Sequence, residues 1–236
     1  MGSTPSPSTT AVPTLGSSAP TTTPGGAGSI VNPISGVYDA EYLPATAGTY
    51  AEQVADAYDL NGRTVLVTST GSLSVQAAGP PGGQTWAESS GPGQPTDALQ
   101  VLFSPTGVTL QSESLALSAS TLQCTFTPAV PILPLHPSFG STVSSNALCG
   151  TFSAVVTTLE QGAGTITLGG VDYATLEVQS TIVTKGTTPA TIIETSWVSP
   201  ALRMAVRSVQ RTSTKYNGLP YQITTTTSLT AAQPSS

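Results

Sequence analysis

Alternation of apolar and polar residues is the dominant pattern along the chain, and it indicates strands. The clearest stretch is Val171 to Thr184, whose even positions include Ala174, Leu176, Val178 and Ile182 while most of its odd positions are polar. A period of two places one side of a strand against a core and the other in water, as in an antiparallel sheet with one solvated face. The sequence therefore predicts that these even-numbered side chains are buried.

Further alternating stretches run from Leu60 to the end of the sequence, separated by short segments rich in Gly and Pro. Gly169-Gly170 is a hairpin signal, and Ser104-Pro105-Thr106-Gly107 carries Pro and Gly where a tight turn needs them. A turn is also expected at Ser69 to Ser72, and a strand from Leu122 to Thr127 is expected to end at the following proline. The predicted fold is all-β, with about ten mostly antiparallel strands in a meander that forms a curved sheet, a half-open barrel or a sandwich.

Charged residues are scarce, which narrows the classes of protein. Asp, Glu, Lys and Arg make up 8% of the chain, against about 25% in ordinary soluble domains, and the net charge is −6. An acidic chain has no surplus of bases to neutralise phosphates, so nucleic acid is not expected as a partner. No window approaches the roughly 18 consecutive apolar residues of a spanning helix, so no transmembrane segment is expected.

The N-terminal part differs in composition from the rest. Ser3 to Ser29 contains no charge, one Leu and no aromatic residue, so it cannot bury enough apolar surface to offset the entropy of ordering. We therefore predict a disordered Ser/Thr/Pro-rich tether over residues 1–37, a single β domain over residues 38–232 and a tail over residues 233–236. The same composition, with very little Lys, predicts an extracytoplasmic protein that is secreted or anchored to the cell surface.

Cys124 and Cys149 are the two cysteines, and in an exported chain they favour a disulfide over free thiols. A bridge over this spacing would stabilise the fold by about 3 to 4 kcal/mol in the chain-entropy model. Between them, prolines recur every third residue, which matches the three residues per turn of polyproline II. A Pro-rich ligand for an aromatic groove is one interpretation, but a segment closed by a disulfide is better suited as a rigid strap over an apolar edge or ligand mouth. The strap residues would be Pro128, Pro131, Ile132, Leu133, Pro134, Leu135 and Pro137.

Residues that could support catalysis are few. His136 is the single histidine, which excludes metal sites built from several histidines, and no G-x-S-x-G segment accompanies it. The carboxylate pairs Asp39/Glu41 and Asp56/Asp59 are interpreted as a solvated acidic face, with a carboxylate-based hydrolase as the alternative. No catalytic residue, metal site or cofactor is predicted, because nucleotide and zinc motifs are also missing from the sequence.

Bases are concentrated near the C-terminus. On a strand, alternate residues from Arg203 to Lys215 share one side and form a basic stripe. Two interpretations stay open: the stripe faces an anionic partner such as a headgroup or acidic polysaccharide, or it pairs with the protein's own acidic segment from Asp39 to Asp59. The stripe consists of Arg203, Arg207, Arg211 and Lys215.

Four segments carry a resemblance to known proteins: FSPTGV, CTFTPAVPILPLHPSFGSTV, LGGVDYATLEVQSTIV and ETSWVSPALRMAVR. They resemble exported, mostly actinobacterial, β-rich proteins of unassigned function. The order of a Gly-Gly turn, a strand and Trp-x-x-Pro before a final strand pair is also similar to the curved half-barrel of lipoprotein carriers. The resemblance covers roughly residues 98–230. It implies either a concave sheet able to hold an acyl chain or an envelope-attached module alone, and it supplies no catalytic residue.

Together these observations predict a non-enzymatic, extracytoplasmic, envelope-associated module that binds or carries an apolar or lipid-like ligand. The alternative is a structural or adhesive cell-surface module without a small-molecule ligand. Because few carboxylates can lose their ionisation, we also expect the fold to tolerate low pH.

Overall fold

The computed structural model describes residues 44–89, 91, 96–105, 107–117, 120–134, 139–149, 152–185, 189–216 and 218–235. Within these residues the chain forms twelve strands. The predicted tether over residues 1–37 lies outside the described residues. In chain order the strands are β1 Gly48–Leu60, β2 Arg63–Ala77, β3 Gly83–Ser89, β4 Thr96–Ser104, β5 Gly107–Leu117, β6 Ser120–Pro134, β7 Thr142–Cys149, β8 Phe152–Leu168, β9 Val171–Lys185, β10 Thr191–Ser199, β11 Met204–Tyr216 and β12 Leu219–Leu229.

Each strand pairs antiparallel with the next, and β1 pairs with β12, so the sheet closes into a barrel. The closing pair runs from Glu52 opposite Leu229 to Leu60 opposite Tyr221. The predicted all-β antiparallel meander is confirmed, whereas the half-open barrel and the sandwich are replaced by a closed barrel. Closure removes the unpaired strand edges that an open sheet would expose.

The predicted turn at Ser69 to Ser72 is wrong, because β2 passes through this segment without a break. Gly71 lies directly opposite Glu52 on β1. A Cβ atom at Gly71 would lie 2.7 Å from the Ser89 carbonyl oxygen and 2.9 Å from Val54 Cγ2. Glycine is therefore needed here for close approach of strands within the barrel wall and does not mark a turn.

The predicted hairpin at Gly169-Gly170 is confirmed between β8 and β9, and both glycines have positive φ angles, 57° and 83°. On β9, Leu176 and Val178 are buried as the alternation predicted. Ala174 is exposed instead, and its neighbour Thr175 is fully buried. The buried side of β9 therefore changes from the odd-numbered Thr175 to the even-numbered Leu176 and Val178.

The proline-rich segment belongs to the barrel wall. The strand predicted to end at Thr127 continues to Pro134, and it pairs with β5 as far as Gly107 opposite Pro134. Pairing with β7 covers only Cys124 to Thr127. The prolines begin where β6 stops pairing with β7. Proline lacks a backbone N–H donor, and on the side of β6 that faces away from β5 there is no ladder for it to interrupt.

The predicted disulfide is confirmed. Cys124 and Cys149 are directly opposite each other on β6 and β7, with their Cα atoms 4.0 Å apart. Both residues are buried and belong to the smaller of two core clusters, together with Phe126, Val130 and Ala147. The larger cluster has residues from every strand except β7, including Tyr50, Val75, Trp86, Phe103, Leu133, Leu168, Val198 and Met204.

Candidate functional site

The inner face of the barrel carries a set of carboxylates. Residues directly opposite each other on paired strands share a face of the sheet, so the register of the strands identifies the inward side chains. Glu88 lies opposite the buried Leu73 and also opposite Asp97, and Glu113 lies opposite the buried Cys124. Within the described residues, the inward carboxylates are Glu52, Asp56, Glu88, Asp97, Glu113, Glu160 and Glu194.

Glu52 is the most enclosed member of this set that has no partner. Its side chain is 6% exposed, and among the described residues no donor or base contacts its carboxyl group. Burial raises the pKa of Glu52 to about 7, because a charged carboxylate loses hydration inside the barrel. Near neutral pH, Glu52 is therefore poised between the charged and the neutral form.

Three neighbouring carboxyls are perturbed in the same direction. Burial, followed by the charges of Glu52, Glu194, Glu113 and Asp97, raises the pKa of Glu88 to about 8. Burial and the charges of Glu194 and Asp97 raise the pKa of Glu113 to about 7. Burial also raises the pKa of Glu194, although Ser196 Oγ donates a hydrogen bond of 2.8 Å to its Oε1. We call Glu52, Glu88, Asp97, Glu113 and Glu194 the acidic cluster.

Water reaches part of this cluster. Glu88 is solvent-exposed even though protein surrounds it closely enough to raise its pKa. Both observations are satisfied by a side chain that points into a narrow, water-accessible lumen. Water in this lumen screens the repulsion of Glu88 from its neighbours less than bulk solvent would.

A small pocket joins the acidic cluster to apolar residues of the core. Its volume is about 40 Å³, and Glu52, Glu88, Leu73, Trp86 and Leu229 contribute to its wall. A single water needs about 10 to 15 Å³ of such volume, so the pocket accommodates a few waters or a small group of similar size. A complete acyl chain does not fit in it.

Trp86 is the aromatic wall of this pocket and is fixed in place. Its Nε1–H donates to Gln84 Oε1 at 3.0 Å, and Gln84 Nε2 donates to the Ala45 carbonyl at 2.7 Å. The Phe103 ring packs against Trp86 with the centroids 6.3 Å apart and the planes inclined by 54°. The indole therefore offers a preformed surface to whatever enters the pocket.

The acidic cluster was not predicted from the sequence. Asp56 and Asp59 were expected on a solvated face, but Asp56 Oδ1 accepts a hydrogen bond of 2.7 Å from Thr225 Oγ1 within the barrel. Asp59 Oδ1 accepts from the Gly62 amide at 3.1 Å and stabilises the β1–β2 turn. The available signal was alternation itself, since Glu88 has the same parity as Gln84 and Trp86 on β3.

The predicted strap is partly described. Leu133 is buried in the larger core cluster and Ile132 packs against it, while Pro128 is exposed and Pro131 is half-buried. The interior of the barrel behind Ile132 and Leu133 is therefore packed core. Pro134 ends the strand, and Leu135, His136 and Pro137 lie outside the described residues.

Three of the predicted basic residues, Arg207, Arg211 and Lys215, share the outer face of β11. Their cross-strand neighbours on β12 are Ser228, Thr224 and Pro220, none of which is charged. The Arg207 guanidinium lies 5.2 Å from the centroid of the Trp197 ring, a cation–π arrangement. Arg203 lies apart in the turn before β11, where its Nη1 donates to the Pro44 carbonyl at 3.0 Å.

Comparison with known proteins gives a fold-level likeness at most. No protein-family model and no curated protein sequence matches the chain. The hypothetical lipoprotein YmcC of Escherichia coli K12 is 15% identical over 83% of this chain and 87% of its own, with a TM-score of 0.37. A protein of Parabacteroides distasonis described as a candidate lipoprotein is 14% identical over 80% of this chain and 97% of its own, with a TM-score of 0.43. Both TM-scores are below 0.5, so no property of either protein is ascribed to this chain.

The part of the chain that the structure describes contains neither a membrane-spanning helix nor a group of metal ligands. No helix there is long and apolar enough to cross a membrane. No three His, Cys, Asp or Glu side chains there are placed to hold one metal ion together.

Proposed function

We propose that the protein is a non-enzymatic, extracytoplasmic, envelope-associated module that binds a small ligand in the lumen of the barrel. The observation that carries this proposal is the pocket in which Leu73, Trp86 and Leu229 meet Glu52 and Glu88. Concave sites with apolar walls and a few polar groups are the usual form of small-molecule sites. The size of this pocket favours a ligand with a compact apolar part over a long acyl chain.

The acidic cluster favours binding over catalysis. A carboxylate-based hydrolase needs one carboxyl kept as an acid and a second kept ionised, so their environments move the two pKa values apart. In the lumen, the pKa values of Glu52, Glu88 and Glu113 are all raised. No division of roles between acid and base is evident among these three.

The outer face provides a second contact with the cell envelope in this proposal. Arg207, Arg211 and Lys215 have uncharged neighbours on β12, so their charges are available to anionic polymers or headgroups. The tether over residues 1–37 would connect the domain to the envelope, and the segment from Pro128 to Pro137 would act as a rigid strap over an apolar edge of the barrel, since no residue of β6 lines the pocket.

Pocket-filling variants test the ligand site. Val206 and Leu229 are buried residues of the pocket wall, and Leu229→Phe is expected to abolish saturable binding of 1-butanol observed by NMR. Leu66→Phe is the matched control, because Leu66 is 63% exposed and lies opposite Ala57 on the outer side of the wall. Saturable binding of neither 1-butanol nor its charged analogue n-butylammonium to the unmodified protein contradicts the proposed site.

A structural or adhesive module is the second candidate, and exposed apolar residues on the outer side of the barrel favour it. Leu66 and Leu148 are each 63% exposed. They lie on β2 and β7, which are not neighbouring strands, so in this candidate each is a separate contact point for another copy of the chain. Sedimentation at increasing protein concentration distinguishes the candidates, since self-association that Leu66→Ser and Leu148→Ser abolish would favour adhesion.

A further inference from the structure

The unpartnered carboxyl of Glu52 points to the chemical class of the ligand. Glu52 lines the pocket, is 6% exposed, and contacts no donor or base among the described residues. A buried ionised carboxylate without a partner is costly, and natural proteins pair such groups with donors, cations or protons. The pocket therefore has a fixed acceptor whose partner is not supplied by the protein wall.

The pocket wall contains two acids and one base, Glu52, Glu88 and Arg207, and no ion pair joins Arg207 to either acid among the described residues. Glu88 lines the same pocket, and the charges of Glu113, Glu194 and Asp97 act on Glu88 as well. Arg207 contributes to the pocket wall, but it lies opposite Trp197 on the outer face of β11, and its guanidinium is 5.2 Å from the centroid of the Trp197 ring. Arg211 and Lys215 lie on the same outer face. A cation that entered the lumen would be attracted by several carboxylates at once, inside a space that screens charge poorly.

We infer that the pocket binds a small organic ammonium ion, whose N–H donors pair with Glu52 and Glu88 and whose carbon chain packs against Trp86, Leu73 and Leu229. This inference rests on the proposed function, because it assigns a charge class to the ligand of the same pocket. An ammonium group matches the carboxylates through charge-assisted hydrogen bonds. The indole face of a tryptophan is also the best aromatic partner for a cation.

An inorganic cation fits the site less well. Divalent metal ions take several oxygen ligands at short distances, and the described part of the barrel has no three acidic, His or Cys side chains so placed. The apolar half of the pocket, formed by Leu73, Trp86 and Leu229, would remain unused by a metal ion. An alkylammonium uses both halves.

The test compares two probes that differ mainly in charge, n-butylammonium chloride and 1-butanol, on the full chain at constant ionic strength. The Trp86 indole N–H resonance is followed at about pH 8.5, above the pKa of Glu52 and Glu88 and below that of an alkylammonium. Butylammonium is expected to bind about tenfold or more tightly than butanol, the effect of a charged hydrogen bond. Glu52→Gln is expected to remove this preference.

Glu177→Gln is the matched control and should retain the preference, because Glu177 lies opposite Trp197 on the outer face. Equal affinity for the two probes overturns the inference while the proposed pocket survives. Binding of neither probe contradicts both. A preference that persists in Glu52→Gln, or calcium chloride binding at the same Trp86 resonance more tightly than butylammonium, also overturns the assignment.

Discussion

Glu52 and Glu88 line one pocket inside the barrel, and the charge of Glu52 raises the pKa of Glu88. Neither carboxyl receives a hydrogen bond from the described residues. The barrel therefore places repelling acids where most proteins place either apolar residues or paired charges. This arrangement has consequences for stability that can be measured without knowing the ligand.

The free energy of unfolding should fall as pH rises from about 5 to about 8. Glu52, Glu88 and Glu113 have folded-state pKa values of about 7 to 8, against 4.5 for an ordinary glutamate. In this window the folded state binds more protons than the unfolded state, so the stabilisation is complete below pH 4.5 and is lost through pH 7 to 8. Thermal melts across this range would check it, and a melting temperature that rises between pH 5 and pH 8 would contradict it.

Glu52→Gln should stabilise the fold at alkaline pH. The difference between a pKa of about 7 and the ordinary 4.5 corresponds to about 3 kcal/mol of destabilisation by the ionised form, which glutamine avoids. Little change is expected at pH 4, where Glu52 is already neutral. Chemical denaturation at both pH values measures the effect, and Glu177→Gln serves as an exposed-face control. Equal effects of the two variants at pH 8 would show that the burial of Glu52 is not the cause.

Gly71→Ala should destabilise the barrel by about 1 to 3 kcal/mol, because the new Cβ would collide with the Ser89 carbonyl oxygen and Val54 Cγ2. The carbonyl belongs to the backbone and cannot move aside as a flexible side chain could. Gly162→Ala is the control, since a Cβ there meets nothing within 4 Å. Urea unfolding of both variants is the measurement, and similar midpoints would refute the close approach at Gly71.

Removing the disulfide by Cys124→Ala and Cys149→Ala together should cost about 3 to 4 kcal/mol. The bridge joins directly opposed residues of β6 and β7 in the smaller core cluster. Thiol titration of the unfolded, unreduced protein should find no free thiol. Two titratable thiols, or an unchanged free energy of unfolding in the double variant, would be incompatible with the bridge.

The strand content was accessible from the sequence because most strands alternate clearly. On β9 the alternation identified Leu176 and Val178 as buried, and both are. The β1 strand was missed because its inward positions include Glu52 and Asp56, which look like surface residues in a sequence. Barrel closure depends on this strand, because β1 pairs with β12, and without it the sequence predicts only a curved sheet, a half-open barrel or a sandwich.

The acidic cluster could not be predicted from the sequence, because it too depends on closure of the barrel. Glu88, Glu113 and Glu194 are distant in sequence and come together only after closure places β3, β5 and β10 around one lumen. The spacing of these three residues along the chain does not indicate that they lie close together in the fold. A charged residue that shares parity with a buried tryptophan, as Glu88 does with Trp86, is the one local sign of it.

The ionisation of Glu52 itself is the most direct test of an unpaired, buried carboxyl in the lumen. The ¹³Cδ chemical shift of Glu52, assigned by comparison with Glu52→Gln, can be followed by NMR from acid to alkaline pH in the absence of added amines. We predict a midpoint near pH 7, well above the ordinary value of 4.5. A midpoint at or below 4.5 would contradict the account, because it would require the carboxyl to be hydrated or paired.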